Sequence, residues 1–141
     1  MQVRQELQDY ILKNGRDYTP APLPPGMVRG KVGDCFDHCT ILALGRKWRY
    51  VEGLALDPRD RETWILHAWL TDGEHAFDPT WMADVLGKEI PVPTIYFGIE
   101  MDIEHVAEFM ISTRYKSVLD NAWRDPIAAR AAAPGVPTNR P

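Results

Sequence analysis

The dipeptide Asp72-Gly73 is the sequence feature that most constrains the fold, because it separates two stretches that are typical of β-strands. Residues 63–71 (TWILHAWLT) and 74–79 have the two-residue period of β-strands, and Asp-Gly is a preferred pair for a two-residue hairpin turn. The sequence therefore predicts an antiparallel hairpin. The same period predicts one strand before the hairpin, at residues 48–56, and another after it, at residues 92–101.

The predicted turn also determines which residues face each other across the hairpin. A two-residue turn at this point places Ala68 opposite Phe77 and His67 opposite Asp78. Directly paired residues on one face of a sheet have Cβ atoms about 4.5–5.5 Å apart. The carboxylate of Asp78 can therefore bond the imidazole of His67. A histidine held in this way has a fixed tautomer and orientation, which a general base requires.

A second constraint is the predicted start of a helix over residues 35–46. Asp34 suits the N-cap position, so Cys35 is expected at the positive end of the helix dipole. That position favours the thiolate, the form that acts as nucleophile or metal ligand. Asp37 opposes this effect, because a nearby negative charge disfavours a second one. The other cysteine, Cys39, falls on the apolar stripe and is predicted to be a core residue.

The remaining segments complete an α+β pattern. Apolar residues at helical spacing predict a first helix over residues 2–14 and a last helix from Ile103 to about Tyr115, capped by Asp102. The Pro- and Gly-rich residues 19–33 predict an extended connector, and residues 81–88 a short helical or irregular link. N-terminal helices, an antiparallel β-meander and a C-terminal helix indicate one α+β domain.

The composition bounds the domain and its partners. We expect a single domain over residues 1–126 and a flexible C-terminal tail over residues 127–141. The net charge of −4 argues against a nucleic-acid-binding surface. No stretch approaches the ~20 apolar residues of a membrane span, and the N-terminal residues lack the apolar region of a signal peptide. The expected compartment is the cytoplasm, where thiols stay reduced.

Four short motifs follow one another between residues 33 and 101, and a fifth closes the series. They are Gly33-Asp34-Cys35, Tyr50-Val51-Glu52-Gly53, His67-Ala68-Trp69, Asp78-Pro79-Thr80-Trp81 and Tyr96-Phe97-Gly98. The order of the first four resembles the transglutaminase-like and papain-like cysteine enzyme superfamily. The closing motif is also similar to a group of small uncharacterised bacterial and phage proteins with this core.

The resemblance implies a papain-like or transglutaminase-like core, in which a helix bearing Cys35 packs on an antiparallel sheet bearing His67 and Asp78. Cys35 would be the nucleophile, His67 the general base and Asp78 its orienter. The reaction would be acyl transfer at an amide without a cofactor, as in a protease, amidase, deamidase or transglutaminase. Trp69 and Trp81 are the candidate walls of a site for a protein or peptide substrate.

Two other functions are compatible with the same residues. A catalytically inactive protein of this fold would present its cleft or its C-terminal arm to a protein partner, as an inhibitor or adaptor. Alternatively, Cys35, His38 and Cys39, with His67 or His75, offer ligand types suited to zinc. An inert Cys35 would indicate the binding protein, and metal analysis of protein purified without a His tag would test for zinc.

Overall fold

The structure is a computed structural model that describes residues 3–31, 33–81, 93–113 and 116–133. Within these ranges it contains five helices and five strands, which confirms the predicted α+β class. The helices are α1 (Gln5–Asn14), α2 (Cys35–Leu44), α3 (Ile103–Ser112), α4 (Val118–Asn121) and α5 (Pro126–Ala132). The strands are β1 (Arg16–Pro20), β2 (Arg49–Leu56), β3 (Trp64–Thr71), β4 (His75–Ala76) and β5 (Tyr96–Met101).

The strands form one mixed sheet in the order β3-β2-β5-β1-β4. β2 is antiparallel to β3 and β5, β5 is antiparallel to β1, and β1 is parallel to β4. A bridge between Leu70 and Phe77 also joins the residue after β4 to β3. Because this bridge links the two ends of the strand order, the sheet curls on itself.

The antiparallel meander predicted from the sequence is wrong, because β1 inserts between β5 and β4 and is parallel to β4. The sequence does not predict strand β1, and the reason is physical. Tyr18 is its only fully buried residue, so no alternation of apolar residues marks the strand. Its last residue, Pro20, also belongs to the Pro-rich stretch that predicts a connector.

The hairpin predicted at residues 63–79 differs in register by two residues. Backbone hydrogen bonds of 2.9 and 2.8 Å join Leu70 and Phe77 in both directions, whereas a two-residue turn places Ala68 opposite Phe77. A shift of one residue would move every side chain to the other face, but a shift of two keeps the faces unchanged. His67 and Asp78 therefore remain on one side of the sheet.

Hydrogen bonds to side chains explain why the turn contains more than the two residues predicted. The carboxylate of Asp72 accepts the N–H groups of Glu74 and His75 at 3.0 and 2.9 Å. The hydroxyl of Thr71 accepts the N–H of Gly73 at 2.9 Å. These bonds satisfy the turn backbone without a tight pairing of the flanking strands, and so β4 is free to pair with β1.

The sheet packs helices on one face and a smaller aromatic cluster on the other. This cluster contains Tyr18, Val51, Ala55, Trp69, Ala76 and Tyr96. Gly53 and Gly98 lie opposite each other in β2 and β5. A Cβ atom on Gly98 would lie 2.8 Å from the ring of Trp69, so glycine leaves the space that this ring fills.

The helix predicted after β5 is confirmed. Helix α3 begins at Ile103, and the side chain of Asp102 accepts the N–H of Glu104 at 3.0 Å, as an N-cap does. The predicted core position of Cys39 in α2 is confirmed, because its side chain is fully buried, whereas Ile41 of the same helix is 67% exposed. The predicted link at residues 81–88 lies outside the described residues except for Trp81. No helix in the described ranges is long and apolar enough to span a membrane.

The segment predicted to be flexible from residue 127 is helical as far as Ala132. Asp125 accepts the N–H groups of Ile127 and Ala128 at 2.9 and 3.1 Å, and Pro126 occupies the first turn. Asp-Pro is a helix-start signal, and small alanine side chains allow close packing. Three alanines of α5 are accordingly buried: Ala128, Ala131 and Ala132. The prediction at residues 134–141 lies outside the described residues.

Replacing Asp125 with alanine is expected to lower the free energy of unfolding by about 1 kcal/mol, because two backbone N–H groups of α5 lose their acceptor. Urea unfolding measures this change. Asp125→Asn is the control, since its amide oxygen can still accept both bonds. An equal loss in the two variants would show that the capping bonds do not stabilise α5.

Candidate active site

Cys35 is the first residue of α2, and this helix packs against β3, the strand that carries His67. The buried thiol of Cys39, one turn further along, lies 3.7 Å from the carbonyl of Ala68 and holds the helix against the strand. Asp34 precedes the helix as predicted, but its side chain makes no capping hydrogen bond to the described residues. The N–H groups of the first turn therefore keep their donor capacity at this end.

The connector before α2 lies against the start of the helix. Gly30 donates its N–H to the carbonyl of Pro79 at 3.1 Å, next to Asp78. The ring of His38 lies over Gly30, and its Nε2 is 2.6 Å from the carbonyl of Val28. A Cβ atom on Gly30 would lie 2.6 Å from that ring, so this contact requires glycine. The connector thus fixes the first turn of α2 beside the turn that contains Asp78.

Asp78 is the best-connected polar residue of this region. Its Oδ2 lies 2.8 Å from Nε2 of His67 and accepts the hydroxyl of Tyr96 at 2.7 Å. Its Oδ1 accepts the N–H of Trp81 at 3.1 Å and the hydroxyl of Thr80 at 3.3 Å. Asp78 and His67 are 0% and 5% exposed. A buried carboxylate with partners on both oxygens has one fixed orientation.

The Asp78 charge keeps a proton on His67. Burial by itself lowers the pKa of His67, but the Asp78 carboxylate outweighs burial and, with a smaller contribution from Cys35, raises this pKa to about 10. Burial by itself raises the pKa of Asp78, but His67, Tyr96 and the Trp81 N–H bring it below its ordinary value of 3.8. The pair is therefore an imidazolium and a carboxylate at neutral pH.

The thiol of Cys35 completes a group of three side chains from separate elements. Cys35 lies close enough to His67 to contribute to the raised pKa of the imidazole. Because Asp78 occupies Nε2, the nitrogen left for the sulfur is Nδ1. The structure thus brings together Cys35, His67 and Asp78, and their chemical roles stay predictions.

The two tryptophans predicted to line a substrate site differ in exposure. Trp69 is fully buried and packs edge-to-face on Tyr18 and Tyr96, with ring centroids 5.9 and 5.0 Å apart. Trp81 is half-buried, and its ring centroid lies 5.2 Å from that of His67. Trp81 is therefore exposed enough to contact a substrate, whereas Trp69 packs in the interior next to His67.

Sequence analysis missed Tyr96 as a partner of Asp78. Tyr96 begins β5, which pairs with β2 and β1 and not with β3. Its hydroxyl reaches Asp78 only because the sheet curls. The motif Tyr96-Phe97-Gly98 contributes only to the family resemblance, and no local spacing in the sequence connects it to Asp78.

The side chains that suggest zinc point to other partners. Cys39 faces the carbonyl of Ala68, His38 the carbonyl of Val28, and His75 the carboxylate of Asp72 at 2.9 Å. Among the residues that the structure describes, no group of three or more His, Cys, Asp and Glu side chains is placed to hold a metal ion.

Comparisons of this chain with protein-family models, curated proteins and solved structures find no match. The resemblance to the transglutaminase-like and papain-like superfamily therefore stays a prediction. The functional argument rests on the chemistry of the residues described above.

Proposed function

We propose that the chain is a cysteine-dependent acyl-transfer enzyme that acts on an amide through Cys35, His67 and Asp78. The observation that carries the proposal is the buried His67, which Asp78 holds at 2.8 Å on one ring nitrogen and whose pKa Cys35 helps to raise. Nucleophile, base and orienting carboxylate are the three parts of a catalytic triad. The papain-like core implied by the motif order is part of the same proposal.

In the starting state of the proposed reaction, the proton of the Cys35 thiol has been transferred to His67. The sulfur attacks the carbonyl carbon of the amide and forms a tetrahedral intermediate. As the C–N bond breaks, His67 gives its proton to the leaving amine, and a thioester remains on Cys35. Water or another amine then gives a proton to His67 and attacks the thioester. The products are a carboxylic acid or a new amide, and the thiolate is restored.

The developing oxyanion needs hydrogen-bond donors. The backbone N–H of Cys35 belongs to the first turn of α2, whose N–H groups have no partner within the helix. This group is one donor of the proposed oxyanion hole, and the helix dipole adds to its effect.

One observation favours the alternative of an inactive protein of this fold that binds a protein partner. Cys35 and His67 are only 6% and 5% exposed, so the surface offered to a substrate is small. In an adaptor, the Asp78–His67 pair would only stabilise the fold. The two functions differ in a measurable way, because only the enzyme needs a reactive sulfur at position 35.

The test is covalent labelling at neutral pH. Wild-type protein is expected to react with iodoacetamide at Cys35, and p-nitrophenyl acetate is expected to leave an acetyl group there that is later lost to water. Mass spectrometry of the intact protein measures both. Cys35→Ala should abolish the label, and Cys39→Ala should retain it, since Cys39 is fully buried.

Two outcomes would contradict the enzyme. One is a Cys35 that reacts no faster than a cysteine in the unfolded chain, which would support the adaptor. The other is equal labelling of Cys39 in Cys35→Ala, which would show that the environment of position 35 does not determine reactivity.

A further inference from the structure

Tyr96 shares one carboxylate oxygen with the candidate base. Its hydroxyl donates to Oδ2 of Asp78 at 2.7 Å, and Nε2 of His67 lies 2.8 Å from the same oxygen. Tyr96 is 1% exposed, so its hydroxyl does not contact solvent or a substrate. The mechanism above gives this group no role.

The bonds around Asp78 show what the hydroxyl does. With Trp81 and Thr80 on Oδ1, the Tyr96 bond completes a set of four donors, from β3, the 79–81 turn and β5. Without it, the Asp78 Oδ2 would have only His67 as a partner among the described residues. Tyr96 is itself fixed, because its ring packs edge-to-face on buried Trp69 with centroids 5.0 Å apart.

We propose that Tyr96 is a positioning residue, which orients Asp78 so that this carboxylate aligns His67 with Cys35. The inference rests on the proposed function and extends it to a fourth residue. A hydrogen bond to a charged group is worth about ten- to a hundredfold in an equilibrium constant. Tyr96 acts on the reaction through Asp78 and His67 and makes no contact with the substrate.

The neighbouring Tyr18 provides a matched control. It pairs with Tyr96 in the β1–β5 ladder and belongs to the same buried cluster. Its buried hydroxyl has no hydrogen-bond partner among the described residues. Tyr18→Phe and Tyr96→Phe therefore remove the same atom from similar places, and only Tyr96→Phe removes a bond to Asp78.

The experiment compares wild type, Tyr96→Phe and Tyr18→Phe in the full chain. We expect Tyr96→Phe to slow iodoacetamide alkylation of Cys35 by about tenfold, whereas Tyr18→Phe reacts like wild type. Among the described residues, the titratable groups that interact with Asp78 are His67, Tyr96 and Cys39, and Cys35 interacts with His67.

The pH profile distinguishes positioning from a purely structural role. Since the Tyr96 bond lowers the pKa of Asp78, its loss is expected to move the acid limb of the alkylation profile to higher pH. The NMR titration of His67 is expected to move as well. In the Asp78→Ala background, Tyr96→Phe should have no further effect, because the acceptor through which Tyr96 acts is gone.

The outcomes separate this inference from the proposed function. An alkylation profile and a His67 titration that are the same in Tyr96→Phe and Tyr18→Phe would overturn the positioning role, even if Cys35 is an active nucleophile. A wild-type Cys35 without acyl transfer would overturn the enzyme, while the His67 titration would still test Tyr96. If Tyr96→Phe does not fold, the NMR signal of the Tyr96 hydroxyl proton provides the test instead. This signal is expected to differ between wild type and Asp78→Asn. A signal that is the same in both proteins would overturn the inference.

Discussion

Asp78→Asn is expected to slow acylation of Cys35 by a factor on the order of 10⁴, by the precedent of carboxylates that orient a catalytic histidine. Asparagine occupies the same space, and its oxygen can still accept the hydroxyl of Tyr96. It carries no charge to hold a proton on His67. Burial then dominates and lowers the pKa of His67, so the imidazolium from which the proposed mechanism starts is lost.

The rate of acylation by p-nitrophenyl acetate measures this effect. Asp72→Asn is the matched control, because Asp72 and His75 form a second Asp–His pair at 2.9 Å in the same hairpin, but with both side chains exposed. Acylation of Cys35 should be unchanged in this variant. Equal rates for Asp78→Asn and wild type would mean that the buried pair is structural, as the adaptor hypothesis requires.

Stability against pH gives an independent check on the same pair. The pKa of His67 is above its ordinary value of 6.5, so its contribution is complete below pH 6.5 and is lost as pH rises towards about 10. The pKa of Asp78 is below 3.8, so its contribution is complete above pH 3.8 and is lost in more acidic solution. The stability difference between wild type and Asp78→Asn should therefore be largest between pH 3.8 and 6.5, and a difference independent of pH would contradict the ion pair.

The Asp78–His67 contact could be predicted from the sequence because it depends on which face a side chain occupies. The predicted register is wrong by two residues, since Leu70 and not Ala68 lies opposite Phe77. Despite this error, His67 and Asp78 lie on the same face of the sheet. The two residues are not directly opposite each other, but their side chains are long enough to bring Nε2 of His67 within 2.8 Å of Oδ2 of Asp78. Local periodicity determines the face, whereas the register depends on the turn bonds of Asp72.

Contacts that depend on closure of the sheet could not be predicted. Tyr96 bonds to Asp78 because β1 lies between β5 and β4 and the sheet curls on itself. Strand β1 cannot be recognised in the sequence, because its apolar residues do not alternate. The burial of α5 could not be predicted either, because its buried residues are alanines, which are only weakly apolar. Side chains brought together across the sheet leave no spacing signal along the chain.

Glu52 is the clearest example of such a contact, because it is a fully buried carboxylate that joins β2 to α4. The hydroxyls of Tyr50 and Ser117 donate to it at 2.6 and 2.8 Å. The N–H groups of Val118 and Leu119, in the first turn of α4, donate at 2.9 and 3.0 Å. This gives the motif Tyr50-Val51-Glu52-Gly53 a structural role, which the resemblance does not supply.

Glu52→Ala is expected to lower the free energy of unfolding by about 3–5 kcal/mol, the usual cost of removing one partner of a buried charged network. Two hydroxyls and two backbone N–H groups lose their acceptor together. Burial raises the pKa of Glu52 above 4.5 although all four bonds lower it, so the charged form depends on these donors. Urea unfolding at neutral pH measures the change.

Glu52→Gln separates hydrogen bonding from volume in this prediction. The amide has the size of the carboxylate but only one acceptor oxygen, while the N–H groups of Val118 and Leu119 bond to different oxygens of Glu52. One backbone N–H must then lose its acceptor, so Glu52→Gln should lie between wild type and Glu52→Ala. Glu104→Gln, at an exposed glutamate bonded to Arg46, controls for loss of a charge and should change stability little. If Glu52→Gln were as stable as wild type, Glu52 would fill space at the start of α4 and its hydrogen bonds would not hold the helix to the sheet.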